Sequence, residues 1–326
     1  MIEYNKKNAR MWSIMGINPA IWSVGYSEVA SGRDDTVVFT ADLERYSGLQ
    51  RTFQKWPDRS YNVGIAEQNM VGIGSGMAME GKQVWMTTYA PFMSFRCADH
   101  VRHLMGNLNL NMKAIGSAAG FSAGFSGASL LAVSDIALTR SIPNIVVLSP
   151  ADTMEAVKMV IAMSETKSPC YMRFCGAVNL PMVYTDDYDF EIGKAVKLKE
   201  GENVAIIATG TNIVSEALKS ADLIEEQDHV SVTVVNMHTI KPLDTAILDD
   251  LIKGHKLIVT IEEHSIIGGL GSAVSEYLAQ KGSRIKQVFI GIEDKNYIMG
   301  SRPFMMEQAG LTANKIVEKI ELNINQ

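Results

Sequence analysis

Short runs of β-branched and apolar residues alternate along this chain with longer stretches of helical apolar spacing. "TVVFTAD" (36–42), "QVWMTTY" (83–89), "MKAIGS" (112–117), "NIVVLSP" (144–150) and "SPCYMRF" (168–174) predict strands. The stretches 66–79, 91–106 and 151–164 between them predict helices, the last opened by Asp152 as N-cap with Glu155 three positions later. Residues 1 to about 34 read as helical, with a break at Gly16-Ile17-Asn18-Pro19. A second series predicts strands at 203–210, 230–237, 256–264 and 286–292, and helices at 213–227, 244–253, 269–281 and 311–321. Between the two series, "GAVNLPMVYTDDYDF" (176–190) combines Gly, Pro and an acidic cluster and reads as a linker. The pattern therefore predicts two parallel-sheet α/β domains, 1–187 and 188–326, with helices on both sheet faces. Sites in such sheets lie at the carboxyl ends of the strands.

Composition narrows the class. At 326 residues, 47% apolar and 20% charged, the chain has the balance of a globular protein and the length for two cores. No apolar run approaches a membrane span, and "MIEYNKKNARMW" carries no apolar secretion segment, so a cytoplasmic location is expected. Cys97, Cys170 and Cys175 are odd in number and lack metal-ligand spacing, as expected of reduced thiols. A net charge of −6, with no basic run beyond Lys6-Lys7, argues against nucleic acid as the main partner.

Candidate chemistry collects after the predicted strands. Glu67 opens the apolar stretch "YNVGIAEQNMVGIGSGMAME". The helix macrodipole favours an acid there by about 0.3–1 kcal/mol, which is a sufficient structural reason. Its apolar flanks nevertheless demand either a partner for the charge or a raised pKa. Tyr89, Phe92 and Phe95 recur every three residues after a strand, as a core stripe or as a stacking surface for a flat heterocycle. Arg96, Asp99, Arg102 and His103 follow and read as a charge network on one helix. The glycines 116, 120, 124 and 127 make a flexible loop suited to phosphate, though without Walker or Rossmann spacing. Arg173 ends a strand, placed either to hold an anion or to pair with Asp186, Asp187 and Asp189. "EEHSIIGGLGS" (262–272) allows an anion site or packing between domains.

Taken together, "VGIAEQNMVGIGSGMAMEGKQVWMTTYAPFMSFRCADHVR", "SDIALTRSIPNIVVLSPADTMEAV", "SPCYMRF", "HTIKPLD" and "EEHSIIGGLGSAVSEYLA" resemble the C-terminal half of transketolase. The resemblance runs in order over nearly the whole chain and is nearest to split bacterial transketolases, where this half is a separate subunit. It implies a pyrimidine-binding domain over residues 1–187 and a transketolase C-terminal domain over 188–326. It further implies that Glu67 hydrogen-bonds the ring nitrogen of the aminopyrimidine of thiamine diphosphate, in a pocket whose dryness strengthens that bond. Ile65, Tyr89, Phe92 and Phe95 would pack around the cofactor. The reaction implied moves a two-carbon ketol unit from a ketose to an aldehyde.

Two departures from that family matter. No Gly-Asp-Gly motif occurs, so the resemblance implies that the diphosphate and its Mg2+ are held by a partner subunit; this chain supplies no metal ligand. A two-plus-two heterotetramer built on a dimer of this subunit is expected. Ala118, Ser126 and Leu130 stand where the family carries His, Asp and His against sugar hydroxyls or phosphate. Losing such contacts costs about 1–3 kcal/mol for each partner left unpaired. Arg173 matches a phosphate-binding position, and Asp42 and Ser47 fall where the family meets substrate. The expected substrate is therefore a less hydroxylated ketose or an α-keto compound. A 2-oxo-acid dehydrogenase β subunit and a non-catalytic assembly partner are the alternative readings.

Overall fold

The structure, a computed structural model, describes residues 2–176 and 178–324. Its first helix, Lys6–Met15, is capped by the Asn5 side chain and stops at Gly16, whose φ of 98° only glycine adopts easily. Helical backbone resumes at Ile17 and continues to Gly32, passing through a π-helical segment, Ile21–Tyr26. The predicted break at residues 16–19 is thus a single residue wide.

The first sheet contains β1 (Thr36–Thr40), β2 (Ser60–Asn62), β3 (Gln83–Tyr89), β4 (Met112–Ser117), β5 (Val146–Leu148) and β6 (Cys170–Arg173). The second contains β7 (Val196–Lys199), β8 (Val204–Thr209), β9 (Val232–Asn236), β11 (Leu257–Ser265) and β12 (Lys286–Ile292). A short strand, β10 (Thr239–Lys241), leaves the second series and pairs antiparallel with β5, so the first sheet runs β10-β5-β6-β4-β3-β1-β2. The second runs β12-β11-β8-β9-β7, with β7 antiparallel to β9. Both sheets are otherwise parallel, and each carries one antiparallel edge strand. The central strands β1, β4, β6, β8 and β9 are buried along their length, as parallel strands covered on both faces must be.

Helices coat these sheets. Thr153–Glu165 starts as the sequence predicts, with Asp152 Oδ1 accepting from the Glu155 amide at 2.9 Å. Glu155 does not close the capping box on Asp152. It accepts instead from the Ala151 amide, the Tyr188 hydroxyl and Asn236 Nδ2, joining the two sheets through a buried polar cluster. Cys97, Cys170 and Cys175 are free and buried. No helix among the described residues is long and apolar enough to cross a membrane.

Candidate active site

The carboxyl ends of β1, β2 and β3 lie side by side. Asp42 follows β1 with a φ of 60°, a left-handed conformation that Asp tolerates better than most residues. Asn62 ends β2, and its side-chain oxygen accepts from the amides of Asp42 and Gly64, fixing both turns. Gly64, at φ 72°, directs the chain into the helix Glu67–Met79. The helix Phe92–Arg96 begins just past β3.

These turns enclose a cavity of about 270 Å³, lined by Ala41, Asp42, Leu43, Ile65, Glu67, Thr88, Tyr89 and Phe92. Five residues singled out from the sequence, Asp42, Ile65, Glu67, Tyr89 and Phe92, therefore share one space. Ile65 is 75% exposed and forms an apolar rim. Glu67 is 3% exposed, and its Oε1 accepts from Arg96 Nη1 at 2.8 Å. Glu67 Oε2 has no hydrogen-bond partner among the described residues. Tyr89 packs edge-on to Phe92 at 6.0 Å and to Tyr46 at 4.8 Å between ring centres. Burial, then the neighbouring Tyr89, pushes the Tyr46 hydroxyl up to about 12, so it stays protonated at neutral pH. Burial and the Glu67 carboxylate likewise push the Cys97 thiol up to about 12, despite the opposing charge of Arg96.

Phe95 does not line this cavity and is 50% exposed. The segment Phe92–Arg96 is π-helical, and its slower rotation per residue carries a three-residue spacing off the shared face. The same geometry takes Arg96 out of the expected intrahelical network and onto Glu67. Arg102 and Asp99 do pair, at 2.6 Å. Ser47 is fully buried beside this region, its Oγ without a partner among the described residues, and does not reach the cavity lining.

Arg173 lies elsewhere. It is 1% exposed, with Nε on Asp135 Oδ2 at 2.9 Å and Nη2 on the carbonyls of Ala132 and Glu263. The linker acids are not its partners; Asp187 pairs with Lys158. Ala118 is buried after β4 with a φ of 52°, while Ser126 is exposed and Leu130 lies on a short 3-10 turn beyond it. This glycine-rich loop is held by the second sheet: the Phe121 amide donates to Glu263 Oε1, and Glu263 pairs with Arg302. Glu262 accepts from the amides of Leu270 and Gly271, capping the next helix, and burial pushes it up to about 7. Of the two "EEH" acids, Glu263 thus joins the two units, while Glu262 caps a helix within the second.

Asp42, Thr88, Leu43, Tyr46 and Arg96 complete the surroundings of the cavity. Of these, only Asp42 stood out in the sequence as a substrate-side residue, and the resemblance to the transketolase family was the signal. Tyr46 and Arg96 reach the site through contacts that no local spacing encodes.

The family model described as the pyrimidine-binding domain of transketolase matches residues 23–176, and that described as the transketolase C-terminal domain matches 193–316. A putative transketolase C-terminal section of Methanocaldococcus jannaschii is 36% identical over 295 residues, spanning 90% of this chain and 92% of that protein. One subunit of an apulose-4-phosphate transketolase from Actinobacillus succinogenes is 34% identical, spanning 89% of this chain and 93% of that subunit. Among solved structures, a split-gene transketolase in an inactive beta4 tetramer superposes with a TM-score of 0.85 at 33% identity, over 95% of this chain and 98% of that one.

Proposed function

Because this chain belongs to the transketolase family, we propose that it is one subunit of a split, thiamine-diphosphate-dependent, transketolase-like transferase. It moves a two-carbon ketol or related acyl unit and works only with a partner that holds the diphosphate and Mg2+. The observation that carries this reading is the meeting of Glu67, Ile65, Tyr89 and Phe92 on one cavity of about 270 Å³. The residues fit the aminopyrimidine end of the cofactor: aromatic walls, an apolar rim, and a buried carboxylate with one oxygen free to accept.

When bound, thiamine diphosphate supplies the carbanion chemistry. The roles of the chain follow from the site. Glu67 Oε2 accepts a hydrogen bond from a proton-bearing ring nitrogen and fixes its tautomer. Tyr89 and Phe92 exclude water and set the ring plane, Ile65 forms the rim, and the exposed Phe95, off the cavity lining, is proposed to meet the partner. Exclusion of water makes the single carboxylate bond stronger than it would be in solvent.

A partner is supported by the relatives, which are named as a section or a subunit, and by the lack of a Gly-Asp-Gly motif here. The proposed assembly is two copies of each subunit. The substrate side is assigned to the loop carrying Ala118, Ser126 and Leu130, which lacks the His and Asp side chains the resemblance leads one to expect there, while Ser47 stays buried off the cavity lining. Arg173, held by Asp135, is proposed to anchor this loop through the Ala132 carbonyl. Both features favour a donor poorer in hydroxyl and phosphate groups.

The test is co-expression with the polypeptide of the adjacent reading frame, followed by a donor screen with thiamine diphosphate and Mg2+. The expected result is ketol or acyl transfer that requires both chains. Transfer by the partner alone, or oxidative decarboxylation without transfer to an aldehyde, would overturn the proposal.

A further inference from the structure

Arg96 touches two walls of the cavity without lining it. Its Nη1 donates to Glu67 Oε1 at 2.8 Å, and its Cζ lies 3.7 Å from the centre of the Phe92 ring. Its carbonyl accepts from Gln68 Nε2 at 3.0 Å, so the chain beside Glu67 is tied to it as well. The guanidinium is partly in solvent while the carboxylate it meets is buried. A carboxylate at that depth needs a partner, and Arg96 supplies one from the solvent side. It engages one oxygen and leaves the other.

We propose that Arg96 is a positioning residue for cofactor capture. By holding Glu67 through Oε1 and bracing Phe92 from behind, it presents Oε2 at a fixed angle to a ring N–H in the cavity. The site thereby selects a heterocycle that donates at that position and stacks against Phe92. This inference rests on the function proposed above. Arg96 is not a competitor that the ligand must displace, because the cavity exists with the ion pair formed. Nor is it an ordinary surface pair, since one partner is buried and the guanidinium also packs on a ring.

A double-mutant cycle on the two-subunit complex tests this. The dissociation constant of thiamine diphosphate, with Mg2+ present, is measured calorimetrically for the native complex, Arg96→Ala, Glu67→Gln and the double variant. Arg96→Ala is expected to weaken binding by about tenfold in the native background and hardly at all beside Glu67→Gln. Arg96→Lys should recover part of the loss, keeping charge without the planar fork. Arg96→Gln is measured in parallel, so that a folding defect in the alanine variant leaves the cycle intact. Equal losses in both backgrounds, or tighter binding by Arg96→Ala, overturn the proposal. If the native complex binds no thiamine diphosphate, the functional reading fails and this one with it. If it binds but the cycle shows no coupling, only this one fails.

Discussion

The Phe121 amide donates to Glu263 Oε1 at 2.8 Å, joining the glycine-rich loop after β4 to the end of β11, 142 residues later. The contact leaves no room for a side chain at Gly120, where a Cβ would sit 2.5 Å from the same oxygen at a φ of 60°. Gly120→Ala is therefore expected to be much more harmful than Gly64→Ala, which has a similar positive φ but open space around it. Gly64→Ala should cost about 1–2 kcal/mol for backbone strain alone, and Gly120→Ala clearly more. Urea titration of the two variants makes the comparison.

Asp135 and Arg173 form the most deeply buried ion pair among the described residues, with the Tyr171 hydroxyl donating to the same carboxylate oxygen. Arg173→Met strands the Asp135 charge and should cost about 3–5 kcal/mol. Asp135→Leu added to that variant should recover much of the loss, because two apolar groups need no partner. Thermal melts of the single and double variants check this, and a double variant no better than the single contradicts it.

Glu67→Gln keeps the size of the side chain but weakens it as an acceptor from a ring N–H. Turnover by the two-subunit enzyme is expected to fall at least about a hundredfold. The melting curve should change little, because Arg96 is already partly in solvent. Steady-state kinetics beside a melt separate the two effects.

His238 is buried against Phe190, and burial lowers its pKa from 6.5 to about 4. The folded state thus binds fewer protons than the unfolded chain between those values. Its contribution to stability is complete above pH 6.5 and is lost as pH falls toward 4, about 3 kcal/mol in all. Asp152, pushed by burial to about 6, and Glu262, pushed to about 7, act in the opposite sense. Their contributions are present below about pH 4 and lost as pH rises through those values. His238→Phe should flatten the acid side of the stability profile, read as melting temperature between about pH 7 and 4.

The long alternating runs were legible because burial on both faces leaves a nearly unbroken apolar strand, as in "NVAIIATG". The strands Ser60–Asn62, Val196–Lys199 and Thr239–Lys241 were not, since three or four residues carry no period. The chemistry divides the same way. Glu67 announced itself by standing as an acid in apolar surroundings. Its partner Arg96 did not, because neighbouring charges offered an equally good local explanation and only the π-helical turn directs it elsewhere. Arg173 shows the converse: a matching position at a strand end does not reveal that a buried Asp135 already occupies the guanidinium.

The loan of β10 to the first sheet also bears on how this chain can be cut. The sequence changes character near residue 187, yet β5 depends for its outer hydrogen bonds on Thr239 and Lys241. A fragment ending at the linker would expose a bare strand edge, a template for pairing with other fragments. The first sheet is complete only while the second unit is attached, because its edge strand is drawn from that unit.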